Sequence, residues 1–113
     1  RLRDKGVLII GSGNMVHNLG LVAWDKLNQS YAFDWAVEAR ARMNQAILSG
    51  DHASLVNFHA QGKAFDLAIN SGEHFIPLLY TLALQGKNER AMLFNDKPLA
   101  GSLTMTSVKI DKA

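Results

Sequence analysis

Apolar residues fall along this chain in two rhythms. Val7-Leu8-Ile9-Ile10 is an unbroken run of β-favouring residues between Gly6 and Gly11. That pattern predicts a strand buried on both faces, as in a parallel sheet flanked by helices. From Phe33 to Leu48 the spacing changes. Phe33, Ala36, Val37, Ala39, Met43, Ala46 and Ile47 form a broad stripe at helical period, closed by Ser49-Gly50. Asp51 then suits the N-cap of a second helix carrying Leu55, Val56 and Phe58. Gly62 interrupts, and Lys63 to Ile69 predicts a further short helical piece. Asn70-Ser71-Gly72 reads as a turn. Glu73 to Gln85 is apolar on most faces, so a buried helix starting near residue 73 is expected, with Pro77 in its first turn, where a missing N–H costs little.

The remaining stretches are less regular. Met15 to Ala23 is either a short helix or an ordered loop, and Trp24 to Ser30 is connection. Ala91 to Phe94 is a short apolar piece, followed by a turn at Asn95-Asp96-Lys97-Pro98. Gly101 to Ile110 predicts a strand. Leu103 and Met105 share one face of it, whereas Val108 and Ile110 lie on the other. Such a break in alternation marks a bulge or a change of environment. The expected class is therefore α/β, in one domain portion spanning residues 1–113. Two recognisable strands are too few for a complete sheet. Arg1-Leu2-Arg3-Asp4-Lys5-Gly6 looks like the basic last turn of a helix closed by a glycine, so a fragment of a longer fold is expected.

Composition narrows the function classes. Apolar residues make up 48% and charged residues 19%, a globular balance. The net charge of +2 contains no run of like charges, which argues against nucleic acid as a partner. The chain has no cysteine, which removes disulfides, thiolate metal sites and cysteine nucleophiles together. No apolar run approaches the roughly 18 residues of a membrane span, and no signal segment opens the chain. A soluble, cytoplasmic protein is expected, without a membrane partner.

The glycine turn after the first apolar run invites a phosphate-binding reading, but its pattern fails. Gly11 and Gly13 supply G-x-G, and Val16 stands where the third glycine of a dinucleotide fingerprint belongs. Ser12 does not match a nucleophile elbow, which needs G-x-S-x-G. The histidines carry more chemistry. His52 and His59 are seven apart, about 10 Å along one continuous helix, too far to share an ion directly. Packing or solvent-facing roles suit them. His17 follows a turn at the carboxyl end of a strand, where α/β sheets hold ligands. His74 stands at the start of an apolar helix. Two histidines fall short of a catalytic metal site, which usually has three protein ligands and an open position.

Two segments resemble a known family. Gly6 to Leu19, "GVLIIGSGNMVHNL", resembles the strand–GSG–x–x–x–His–Asn–Leu segment of class III extradiol ring-cleavage dioxygenases of the LigB type. Gly72 to Ala83, "GEHFIPLLYTLA", resembles that family's Glu-His-Phe-x-Pro-Leu segment, in the expected order. Asp34 to Asp51 resembles the helix between them, and the likeness is strongest to the bacterial members that act on DOPA. The resemblance implies that residues 1–113 form the C-terminal part of a mixed-sheet α/β sandwich with helices flanking the strands. It implies one mononuclear, non-haem divalent metal, Fe(II) for catalysis or zinc as isolated. The matching positions make His17 the acid/base and a metal ligand, and His74 a metal ligand. They also imply a DOPA-like catechol and O2 as substrates, and further ligands in a missing N-terminal segment of the same protein. Two local departures bear on substrate fit. Asn14-Met15-Val16 replaces commoner small residues, and Ser71-Gly72 stands where proline is frequent. The alternatives are a non-catalytic metal-binding or assembly fragment, and a nucleotide-binding α/β domain.

Overall fold

The computed structural model describes all 113 residues. The longest element, α1 (Asp34–Ser49), forms where the apolar stripe predicts it and buries Ala36, Ala39, Met43, Ala46 and Ile47 along one face. Gly50 ends it in the left-handed conformation that glycine adopts at little cost, donating its N–H to the carbonyls of Ala46 and Ile47. Asp51 caps α2 (His52–Val56), accepting the N–H of Ser54 at 3.1 Å. After a 3-10 turn at Phe58–Ala60 comes α3 (Lys63–Ala68), which buries Ala64, Phe65 and Ala68. Small residues on both α1 and α3 let the two helices approach closely. Arg42 of α1 also lays its guanidinium over the Phe65 ring, 4.7 Å from the centroid.

The last helix departs from expectation. A 3-10 turn at Gly72–His74 precedes α4, which runs only from Ile76 to Leu82 with Pro77 in its first turn. Phe75 and Leu82 reach the core, but Tyr80 is 75% exposed and Ile76 and Leu84 are also open. The expected burial on most faces is therefore corrected: α4 has one face covered within these residues.

Two antiparallel ribbons complete the class, which is mixed α/β as expected. In the first, β1 (Glu89–Phe94) pairs with β4 (Ser107–Lys112), matching Ala91 with Ile110 and Leu93 with Val108. Those four side chains lie on one face and pack toward the helices. In the second, β2 (Pro98–Leu99) pairs with β3 (Leu103–Thr104) across Ala100 and Gly101, both at positive φ. A side chain at Gly101 would strike the Phe33 ring, with its Cβ 2.6 Å from Cε2. The break in alternation predicted within residues 101–110 is the gap at Met105-Thr106, where the chain leaves β3 and enters β4.

The second correction concerns Val7–Ile10. These residues are not a buried, paired strand. From Leu8 through Gly13 the backbone makes no backbone hydrogen bond, and Leu8 and Ile10 are 80% and 79% exposed. Strand character requires a neighbouring ladder, and none forms along these residues. The preceding basic turn does form as expected: Arg3–Lys5 is a 3-10 turn closed by Gly6 at φ 77°, and Arg3 makes two hydrogen bonds to the Glu89 carboxylate. No helix is long and apolar enough to cross a membrane.

Asp96 ties α1 to the ribbons. Its carboxylate accepts from Arg40 Nε at 2.7 Å, Thr106 Oγ1 at 2.7 Å and Asn44 Nδ2 at 2.9 Å. These donors, the Arg40 guanidinium first, hold the Asp96 carboxyl down at about 2. A carboxyl depressed in the folded state stabilises the fold above its unfolded pKa near 3.8, and that stabilisation disappears as pH falls toward about 2. Asp96→Asn is therefore expected to cost about 2 kcal/mol at pH 7. The difference from wild type should shrink steadily between pH 4 and pH 2, as read by urea unfolding across that range.

Candidate active site

His17 lies where the chain passes between two other segments. Its N–H donates to the Ala68 carbonyl at 2.9 Å, and its backbone bridges Ile69 on one side and Leu103 on the other. Met15 and Val16 anchor the approach in the core. Asn18, itself buried, locks the exit. Its side chain donates to the Leu67 carbonyl at 2.8 Å, and its own carbonyl accepts from Ser102 Oγ at 2.7 Å. A residue held at backbone level from both sides has few ways to displace its side chain.

His74 ends the 3-10 turn that leads into α4. Its carbonyl accepts the Asn14 N–H at 2.7 Å, while the Asn14 side chain donates to the Thr104 carbonyl at 2.8 Å. Asn14 thus joins the His74 turn to β3. The two glycines make this contact sterically allowed. A Cβ at Gly11 would sit 2.7 Å from Thr81 Oγ1 and 2.8 Å from the Pro77 carbonyl oxygen, and a Cβ at Gly13 would collide with the His74 carbonyl oxygen. Neither glycine has positive φ. What residues 11 and 13 need is the absence of a side chain, so that backbone can lie on backbone.

The outcome is that His17 and His74 meet. Their rings stack with centroids 3.8 Å apart and planes 25° from parallel. Burial lowers the His17 pKa below its ordinary value, and the neighbouring His74 lowers it further, against an opposing pull from the Glu73 carboxylate. Glu73 accepts from Ser71 Oγ at 2.8 Å. Hydrogen bonds from its own backbone and from Ser71 keep its carboxyl below the usual range. The pair therefore combines a His17 whose neutral form is favoured with a nearby carboxylate.

The other two histidines are placed elsewhere. His52 Nε2 lies 2.9 Å from Gln85 Oε1, and the His59 ring rests against Phe58, with centroids 4.0 Å apart. No group of three His, Cys, Asp or Glu side chains able to hold a metal ion occurs in the structure. The residues missed in the sequence are Asn14 and Asn18, whose side chains fix the two histidine-bearing segments. The available signal was an amide on each side of His17 next to a turn, a position where Asn commonly bonds backbone.

Comparison with known proteins follows the same lines. No protein-family model matches the chain. The chain is 33% identical to a 4,5-DOPA dioxygenase extradiol of Escherichia coli K12 over 115 aligned residues, covering 96% of this chain and 40% of that protein. It is 28% identical to the 4,5-DOPA dioxygenase extradiol of Beta vulgaris, covering 96% of this chain and 39% of the relative. The crystal structure of an uncharacterized Escherichia coli K12 protein superposes with a TM-score of 0.79 at 32% identity, over 95% of this chain and 44% of the other. The resemblance carried by the two histidine motifs is thus borne out over nearly the whole chain, and the chain spans about two fifths of the length of the curated relatives it matches.

Two outcomes are expected. Gly13→Ala should push the His74 turn away and separate the rings, seen as altered NMR shifts of both imidazoles, whereas Ser12→Ala at the exposed position between the glycines should leave them unchanged. His17 should titrate below 6.5 by NMR in the folded protein. Because its folded pKa is depressed, the protein gains stability as pH rises through the window between that lowered value and 6.5.

Proposed function

We propose that this chain carries part of the active site of an extradiol dioxygenase, a reading that its kinship with the 4,5-DOPA extradiol dioxygenases supports. The substrates are a DOPA-like catechol and O2, and the product is a ring-opened semialdehyde. The observation that carries the reading is the convergence of His17 and His74 from distant parts of the chain.

One divalent ion, iron(II) for turnover or zinc as a stable substitute, fits the chemistry of these donors. Neutral imidazoles are the form that ligates. The count does not close, because a catalytic site usually takes three protein ligands and the chain brings two histidines together without a third partner. The remaining ligands then belong to other segments of a full-length protein, in which residues 1–113 form one portion of the domain. A ligating imidazole keeps an ion near its own ring plane, about 2.0–2.1 Å from the nitrogen. Rings stacked 3.8 Å apart at 25° do not aim their lone pairs at one such point. Binding through both histidines therefore requires the stack to open, and binding through His74 alone leaves His17 free beside it.

When bound, the ion supplies a Lewis-acid centre that holds both catechol oxygens next to dioxygen. His17 does the proton chemistry. Kept neutral by burial, it can accept a catechol proton on a ring nitrogen and return it as the ring opens. Its backbone clamps hold the imidazole in place through that exchange, and Glu73 steadies the imidazolium while it lasts.

A second reading, a non-catalytic metal-binding or assembly piece, is favoured by the missing third ligand. Metal analysis and a catechol ring-opening assay separate the two. In the natural protein bearing this sequence, His74→Ala is expected to lose bound metal and activity together. His17→Gln should keep most of the metal while ring opening falls about 10²–10⁴-fold. The 113-residue chain alone should give no yellow ring-opened product; yellow product from it would overturn the assignment of further ligands to other segments. Metal without turnover in the natural protein selects the second reading.

A further inference from the structure

We propose that Ser102 is a positioning residue for the reaction: its buried hydroxyl, by gripping Asn18, fixes the direction of the His17 ring. The proposal rests on the reading of His17 as the group that moves the proton, and it adds a residue that acts through His17 without touching substrate.

The direction of a side chain follows from the peptide planes on either side of its Cα. Before His17, the Val16 carbonyl accepts the Thr104 N–H at 3.2 Å, and the His17 N–H donates to the Ala68 carbonyl at 2.9 Å. After His17, the Asn18 N–H donates to the Ser102 carbonyl at 3.2 Å. Ser102 then closes on the same residue again, its Oγ donating to the Asn18 carbonyl at 2.7 Å. One residue thus holds the peptide groups on both sides of Asn18. It does so fully buried, where bulk water does not compete for the bond.

A hydroxyl can aim a neighbour only if it is itself fixed. Ser102 follows Ala100 and Gly101, both left-handed, at φ 52° and 84°. That conformation is unfavourable for alanine, and Ala100 holds it in full burial. Such strain persists where the surroundings over-determine it. Here the Ala100 carbonyl accepts the Ala23 N–H at 2.8 Å, the Gly101 N–H donates to the Tyr31 carbonyl at 2.8 Å, and the Gly101 carbonyl accepts the Phe33 N–H at 2.9 Å. On the far side of Ser102, Leu103 bridges His17 and the Thr104 carbonyl accepts the Asn14 amide. A strained turn clamped from outside and bonded to both flanks of a reactive side chain is a pre-organising device. The Ser102 hydroxyl bonds Asn18 alone, so its loss falls on the aim of His17 and not on the grip of His74.

Two arms test this in the natural protein bearing this sequence. In the metal-free form, nuclear Overhauser contacts between the His17 and His74 ring protons report the stack. They should weaken in Ser102→Ala, and also in Ser102→Cys, which refills the volume with a weak donor. Ser54→Ala removes an exposed hydroxyl from the Asp51 cap and should leave them as in wild type. In the iron(II)-loaded form, Ser102→Ala should keep its metal content and KM while kcat falls about tenfold, inside the roughly 10²-fold loss that a misplacement of about 1 Å costs. Wild-type ring contacts in the folded Ser102 variants would overturn the proposal. So would equal losses in Ser54→Ala, a loss of metal that accounts for the fall in kcat, or failure of both Ser102 variants to fold. A wild-type protein without ring opening fails the catalytic reading itself, whereas unchanged rings or unchanged kcat in the variants fail this proposal alone.

Discussion

The site depends on one close backbone approach, that of residues 11–14 against the turn that opens α4. Two glycines remove the side chains that would hold the segments apart, and the Asn14 N–H then bonds the His74 carbonyl. Between Gly11 and Gly13 the contact moves from Pro77 and Thr81 back to His74, so the segment runs counter to the helix. The direction matters, because it delivers His17 to the end of α4 where His74 lies. In this arrangement the part played by the two glycines is steric.

A contact of that kind would be loose without support behind it. Support comes from the other face of the same segment, where Met15 and Val16 enter the core and His17 bridges Ile69 and Leu103. The β2–β3 ribbon provides one of those bridges and is itself held by its connection to α1 through Asp96, Arg40, Asn44 and Thr106. The position of the His17 imidazole is thus set by α3, by the ribbon and, through Asp96, by α1. Stacking of the two rings is the end of that chain of constraints, and burial of His17 within it, with His74 beside it, lowers the imidazole pKa.

Legibility in the sequence followed the range of the forces involved. The helix predicted over Phe33–Leu48 is found at Asp34–Ser49, and the Asp51 cap and the piece from Lys63 form as expected, because stripe, cap and terminating glycine act within a few residues. The break near Met105 was visible for the same reason. Val7–Ile10 was misread because its rhythm records what the segment can pair with, while pairing depends on what lies beside it. The open face of α4 was misread likewise: apolar composition says that a face should be covered, and says nothing of which segment covers it.

The sequence by itself determined α1 and its terminating glycine, the Asp51 cap, the helical piece from Lys63, the α/β class, the two histidine motifs and the kinship they carry. Those are properties of local spacing and of residue identity. Only the tertiary structure decided that His17 and His74 stack, that Asn14 and Asn18 hold them, and that Gly11 and Gly13 are needed for want of a Cβ rather than for positive φ. Each of these depends on a distance between segments remote in the chain. Such distances are fixed by the packing of the whole core, which no local pattern encodes.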